Sequence, residues 1–112
     1  MSSTSTPERQ MRQHDRADLD VYVTKIVDEV LDLARVRDIS ESGVYLYDLG
    51  KPVAEQSHIG LELQLPDCED VIWVAGNVVR EDSDFGGGVA VHFTRMAHAH
   101  RELIREFVER TT

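Results

Sequence analysis

The sequence predicts a mostly β fold: a six-stranded antiparallel β-barrel with one C-terminal α-helix. Apolar and polar residues alternate through much of the chain, which is the period of a half-buried strand. Turn-forming residues interrupt that alternation at short intervals. The period becomes helical only near the C-terminus. Because so many strands lie within 112 residues, a closed barrel is the economical arrangement, since it protects the sheet edges.

Two strands are predicted before the first clear turn. Leu19, Val21 and Val23 alternate with polar residues and predict the first strand. The second is predicted from about Val27 to Val36, although its alternation is imperfect. The run from Leu31 to Ala34 could also begin a helix. We favour a strand because this run leads directly into a turn and another β-rich stretch.

Four further strands follow the turn. The connections between them are predicted at residues 38–43, 48–58 and 82–87, where Gly, Pro, Asp and Ser concentrate. The predicted strands are Val44–Tyr47, Gly60–Leu65, Val71–Arg80 and Gly88–Phe93. Trp73 is predicted to lie in the core or at the rim of the barrel.

A helix is predicted from about Ala97 to Arg110, where apolar residues recur with the helical period. Its polar face carries acidic and basic side chains, so we expect the apolar face to cap one end of the barrel. The residues on the apolar face are Met96, Leu103, Ile104, Phe107 and Val108.

The composition excludes several classes of function. The formal net charge is -9, which argues against non-specific DNA or RNA binding and against polybasic attachment to anionic membranes. Cys68 is the single cysteine, so an internal disulfide or a multi-thiolate zinc site is excluded. There is no apolar run of about 20 residues, as a membrane span needs. Residues 1–7 lack the features of a signal peptide, and we expect a disordered tail there and a cytoplasmic protein.

A binding site is suggested by two short patterns. Arg12 and Arg16 lie four positions apart in the segment 8–17, just before the first strand. Each guanidinium can pair with a phosphate or with the O6/N7 edge of guanine. Alone, such a pair is more often solvated than bound to a ligand.

The second pattern is Asp-x-Ser-x-x-Gly in the predicted turn. Asp38 can accept hydrogen bonds from guanine N1–H and N2–H, and Ser40 can bind a ligand or tie the turn to its own backbone. Gly43 can take a positive φ or leave space for a ligand or a bulge. Alone, these residues are also typical of an ordinary β-turn.

Together, the two patterns resemble the PilZ domain, a six-stranded barrel that binds the bacterial second messenger cyclic di-GMP. The resemblance extends over about residues 8–110. The order of the arginine pair, the Asp38–Gly43 pattern and the terminal helix carries it. The runs Val74–Arg80 and Gly88–Phe93 also look like the last two strands of the family.

The resemblance implies a function and a set of binding residues. Arg12 and Arg16 would contact phosphate and guanine, Asp38 and Ser40 would hydrogen-bond guanine, and Gly43 would allow close approach. The barrel and helix would occupy residues 18–112. The chain would be a single-domain receptor and adaptor in motility or biofilm regulation, in which ligand binding orders the N-terminal segment and creates a surface for an effector protein.

The alternative is a PilZ-type interaction module that binds no nucleotide and acts on a motility or type IV pilus component. An enzyme is not expected, because no motif arranges a Ser–His–Asp set or a metal site. The Gly86-Gly87-Gly88 run lacks the following Lys-Ser/Thr and helix of a phosphate-binding loop. We therefore expect no cofactor and no metal.

Overall fold

The computed structural model describes residues 15–48, 54–82 and 87–112. The predicted tail at residues 1–7, Arg12, and parts of the predicted connections at 48–58 and 82–87 lie outside these ranges. Within them, the chain forms seven strands followed by one helix. These elements are β1 (Ala17–Asp18), β2 (Tyr22–Val27), β3 (Val30–Ile39), β4 (Gly43–Asp48), β5 (His58–Leu63), β6 (Ile72–Asp82), β7 (Gly88–Met96) and α1 (His98–Thr111).

Six of these strands form a closed antiparallel barrel. Their order around the ring is β3, β2, β5, β6, β7 and β4, and pairing between β3 and β4 closes it. The two-residue strand β1 lies outside the ring and pairs with the end of β3 through Ala17 and Ile39. The predicted six-stranded antiparallel barrel with a C-terminal helix is therefore confirmed, with one extra short strand.

The hairpin between β2 and β3 was not predicted where it occurs. Val27 pairs with Val30, and the two residues between them, Asp28 and Glu29, have φ values of 51° and 66°. A two-residue loop with positive φ at both positions twists in the direction that antiparallel strands need. The prediction that the second strand starts at about Val27 is therefore wrong. The turn was missed because Asp28-Glu29 contains neither the glycine nor the asparagine that signals such a turn.

The strand β3 begins and ends about three residues later than predicted, and the helix alternative for Leu31–Ala34 is wrong. β3 runs without interruption from Val30 to Ile39, so Asp38 lies in a strand and not in the turn. A register shift between Val36 and Asp38 marks a bulge opposite β4. The connection to β4 consists only of residues 40–42.

The core lies inside the barrel and continues under the helix. Alternate residues of the strands point inward, and Ile39, Leu46, Leu61 and Ile72 are among the fully buried side chains. The helix adds a buried face made of Ile104, Phe107 and Val108, which confirms the predicted apolar face at these positions. None of the helices in the described ranges is long and apolar enough to cross a membrane.

Candidate functional site

The structure brings together residues from both sequence patterns. Arg16 donates a hydrogen bond from Nε to Oδ1 of Asp38 over 2.6 Å. Its Nη1 lies 3.5 Å from Oγ of Ser40. Asp38 and Ser40 are both buried, with 9% and 0% of their surface exposed. The pair Arg16–Asp38 therefore links the segment before the barrel to the end of β3, whereas Arg12 lies outside the described residues.

Ser40 organises the short connection between β3 and β4. Its Oγ accepts hydrogen bonds from the backbone N–H groups of Ser42 and Gly43, each over 3.2 Å. Its own N–H donates to the carbonyl oxygen of Gly43 over 2.8 Å. The hydroxyl thus ties the turn to its own backbone, which is one of the two roles that its sequence position predicts.

Gly43 is required by a close backbone approach. A Cβ atom at Gly43 would lie 2.4 Å from the carbonyl oxygen of Val91 on β7. Among the described glycines, positive φ occurs at Gly87. The predicted option of a positive φ at Gly43 is therefore wrong, because it is the tight pairing of β4 with β7 that excludes a side chain there.

Asp38 holds a second arginine with its other carboxylate oxygen. Arg37 donates from Nε to Oδ2 over 2.8 Å. Burial alone raises the pKa of Asp38, but hydrogen bonds from Arg37 and Arg16 outweigh burial and bring the pKa below its ordinary value. The carboxylate therefore stays charged at neutral pH and remains an acceptor.

This lowered pKa makes the contribution of Asp38 to stability depend on pH. A carboxyl group whose pKa is lower in the folded chain stabilises the fold above its unfolded pKa of about 3.9. That contribution is lost as the pH falls through the lower folded value. We expect the wild type to unfold at higher urea than Asp38→Asn at pH 7, and the difference to shrink below about pH 4. Urea titrations of both proteins between pH 7 and 3 test this, and a constant difference would contradict it.

Three further residues around Asp38 were missed in the sequence. The guanidinium of Arg37 stacks over the ring of Tyr45, with Cζ 3.8 Å from the ring centroid, and that of Arg80 lies 5.7 Å from the same centroid. The Tyr45 hydroxyl donates to Asp82 over 2.6 Å. Burial and this hydrogen bond raise the pKa of Tyr45, so the hydroxyl stays a donor.

Strand irregularities explain why these residues were missed. On a regular strand, neighbouring side chains point to opposite faces, so Arg37 and Asp38 would not meet. The bulge beside Asp38 brings both toward Tyr45. A second register shift, between Val78 and Arg80 on β6, displaces Arg80 from simple alternation. Bulges commonly redirect side chains beside functional sites. No single residue type in the sequence predicts where a bulge occurs.

These residues line an open cavity of about 890 Å³ on the outside of the barrel. Its walls combine three guanidinium groups, two carboxylates and the ring of Tyr45. The lining residues are Arg16, Asp18, Arg37, Asp38, Ser42, Gly43, Val44, Tyr45, Val79, Arg80, Ala90, Val91 and His92. Arginines over an aromatic ring can both pair with phosphate and stack on a planar base. The cavity therefore suits an anionic ligand with flat, hydrogen-bonding rings.

The turn at the edge of this cavity is held by the helix and by a neighbouring barrel strand. Arg101 of α1 donates from Nη1 to the carbonyl oxygen of Glu41 over 3.0 Å. The N–H of Phe93 on β7 donates to the carbonyl oxygen of Ser42 over 2.9 Å. The turn is thus fixed by two elements before any ligand binds, which lowers the ordering cost of recognition.

A family model and several solved structures match the chain. The PilZ domain model matches residues 10–110. The inhibitor of motility MotI/DgrA from Bacillus subtilis is 19% identical with a TM-score of 0.78, and the match covers 88% of this chain and 50% of that one. This chain thus spans half the length of that protein. No curated protein matches.

Two further structures were solved with a bound dinucleotide. The PilZ domain of YcgR from Escherichia coli with c-di-GMP is 13% identical with a TM-score of 0.65, and the match covers 89% of this chain and 90% of that one. PlzA from Borreliella burgdorferi in complex with c-di-GMP is 10% identical with a TM-score of 0.65, and covers 90% and 42% of the two chains. At these identities the similarity establishes the fold.

Proposed function

The chain belongs to the PilZ domain family, and on that basis we propose that it is a receptor for cyclic di-GMP that acts on an effector protein. One observation carries the proposal: Arg16, Asp38 and Ser40, which come from two separate sequence patterns, meet beside a cavity that contains two further arginines. The ligand-bound structures of YcgR and PlzA support the choice of ligand.

The proposed binding mode uses the cavity as it stands. Asp38 would accept hydrogen bonds from N1–H and N2–H of one guanine. Each carboxylate oxygen has two acceptor positions, so Asp38 can keep Arg16 and Arg37 while it binds the base. Arg16 would then face the O6/N7 edge or a phosphate, and Arg37 and Arg80 would supply charge and stacking for the rest of the dinucleotide.

Arg12 completes the proposed site from the N-terminal segment. Its position four residues before Arg16 would let a second guanidinium reach the same ligand. We propose that binding fixes this segment against the cavity, at an ordering cost of about 2–5 kcal/mol. The bound ligand and the segment would together form a surface for the effector.

The fold also supports a second candidate function. MotI/DgrA is described as an inhibitor of motility, which favours a role for this chain in motility control. Such a role could operate without the nucleotide, as an interaction module that docks on a motility or pilus component. A single titration separates the two candidates, because the interaction module would bind no cyclic di-GMP.

Isothermal titration of the wild type and of Arg16→Lys with cyclic di-GMP tests the proposal. We expect saturable binding to the wild type. The lysine variant keeps the charge but not the planar fork that reaches Asp38 and Ser40, so we expect about tenfold weaker binding. Arg105→Lys is the matched control, because Arg105 contacts Glu102 and Glu109 of α1. No heat and no shift in melting temperature at high micromolar ligand would disprove nucleotide binding and favour the interaction module.

A further inference from the structure

A second surface lies on the side of the barrel away from the cavity. Five apolar residues of β2, β3 and β6 point outward there, and we name them the apolar face: Tyr22, Ile26, Leu31, Leu33 and Trp73. Tyr22, Leu31 and Leu33 are 64%, 66% and 58% exposed, and Trp73 is 49% exposed. Trp73 therefore lies on the outer surface, and of its two predicted places, the core and the barrel rim, the core is wrong.

Strand pairing makes the apolar face continuous. Leu31 pairs with Ile26, and Ile26 pairs with Gly60 of β5. Gly60 has no side chain, and its Cβ position lies 3.5 Å from Cζ3 of Trp73 and 3.8 Å from Cβ of Ile26. The indole thus lies over β5 and reaches toward β2. Directly paired outward side chains are neighbours, so Leu31, Ile26 and Trp73 form one surface.

The apolar face does not serve the core or the cavity. The alternate residues Val23, Ala34, Leu61 and Val74 point inward and are buried. The cavity is lined from β1, the far ends of β3 and β6, and β4 and β7. In the ring order, β2 and β5 lie opposite β4 and β7. A ligand in the cavity therefore leaves the apolar face accessible.

Acidic residues lie within and beside this surface. Glu62 lies between Thr24 and Trp73 in the strand register. Asp28 and Glu29 form the exposed hairpin turn just before Leu31. The outward arginine Arg35 is neutralised by Asp20, with Nε–Oδ1 at 2.6 Å and Nη2–Oδ2 at 2.9 Å. Exposed Arg95 pairs with Ala75 on the β7 side, but Glu62, Asp28 and Glu29 outnumber it. The surroundings of the apolar face therefore carry a net negative charge.

We propose that the apolar face binds a basic amphipathic helix of a partner protein, with apolar side chains against Leu31, Leu33 and Trp73 and Lys or Arg toward the acidic residues Asp28, Glu29 and Glu62. Exposed apolar clusters with Trp and Tyr are typical of interaction surfaces. A second copy of this chain would bring two net negative surfaces together, and an anionic membrane would repel such a surface. This surface is independent of the proposed nucleotide binding.

Trp73 provides a direct readout, because it is the single tryptophan of the chain. The probe is a synthetic 18-residue helical peptide without tryptophan, with leucine on one face and lysine beside it. We expect saturable binding with a blue shift of the Trp73 emission as the indole leaves water. Replacing Leu31 and Leu33 together by serine should weaken binding at least about tenfold.

Matched controls decide between specific docking and simple charge attraction. Val79→Ser removes a valine that is as exposed as Leu33, 58%, but lies at the cavity, and it should leave peptide affinity unchanged. A peptide with the same composition in scrambled order should bind at least about tenfold more weakly.

Four results would overturn the proposal: equal binding of the scrambled peptide, no effect of the double serine variant, a dimer of the wild type in sedimentation that the serine variant lacks, or a Trp73 shift on phosphatidylglycerol vesicles. Circular dichroism would verify that the double variant is folded. The same variant should bind cyclic di-GMP like the wild type, so a failure of nucleotide binding and a failure of docking remain distinguishable.

Discussion

Asp38→Ala is expected to weaken cyclic di-GMP binding at least about a hundredfold. The substitution removes the proposed acceptor for guanine N1–H and N2–H. It also releases both Arg16 and Arg37, which Asp38 holds at 2.6 Å and 2.8 Å. Because a charged acceptor with several partners disappears at once, the loss should exceed that of Arg16→Lys, which keeps the positive charge. Isothermal titration of the purified variant measures it.

The same variant should remain folded. The two released guanidinium groups are partly exposed and can be hydrated, so we expect the free energy of unfolding to fall by only about 1–3 kcal/mol. Asp20→Ala is the matched control, since it also removes an aspartate from an arginine pair, but on the outer surface away from the cavity. It should change neither ligand affinity nor the melting temperature. Unchanged affinity of Asp38→Ala would remove Asp38 from the proposed site.

The sequence predicted part of the candidate site. Two short sequence patterns predicted Arg16, Asp38 and Ser40 as candidate binding residues. The structure brings these three side chains together. Arg37 and Arg80 were not predicted, because their approach to Tyr45 depends on two bulges that change the alternation of β3 and β6. A bulge depends on how two strands pair, and the sequence of one strand alone does not predict that pairing.

The fold was easier to predict than its boundaries. Alternation identified the barrel strands because one face of each is buried. In β3, however, Leu31 and Leu33 are exposed while Ala34 and Val36 are buried. Both faces are therefore apolar, and the pattern became ambiguous between strand and helix. The ambiguity has a functional explanation if the outward residues bind a partner, because that requirement adds apolar residues that folding does not need.

Gly43→Ala is expected to destabilise the barrel much more than Gly60→Ala does. The new Cβ would lie 2.4 Å from the carbonyl oxygen of Val91, and this oxygen belongs to a paired backbone that cannot rotate away. β4 and β7 must separate, so their pairing through Gly43 and His92 weakens. We expect the free energy of unfolding to fall by about 3 kcal/mol or more. Urea denaturation measures it.

Gly60→Ala makes the comparison specific, because it adds the same methyl group to a strand of the same barrel. There the new Cβ would meet Cζ3 of Trp73 at 3.5 Å, which is an ordinary contact. We expect a change within about 1 kcal/mol, with the reduced freedom of the unfolded chain favouring alanine. Equal destabilisation by both substitutions would contradict the assignment of Gly43 to the close approach of β7, because an added Cβ at Gly60 makes only ordinary contacts. A large loss at Gly43 alone would show that the close approach of β7 determines the last residue of the Asp-x-Ser-x-x-Gly pattern. The main role of Gly43 would then be to allow the close packing of β4 against β7. Its effect on the ligand would be indirect, through the turn beside Asp38.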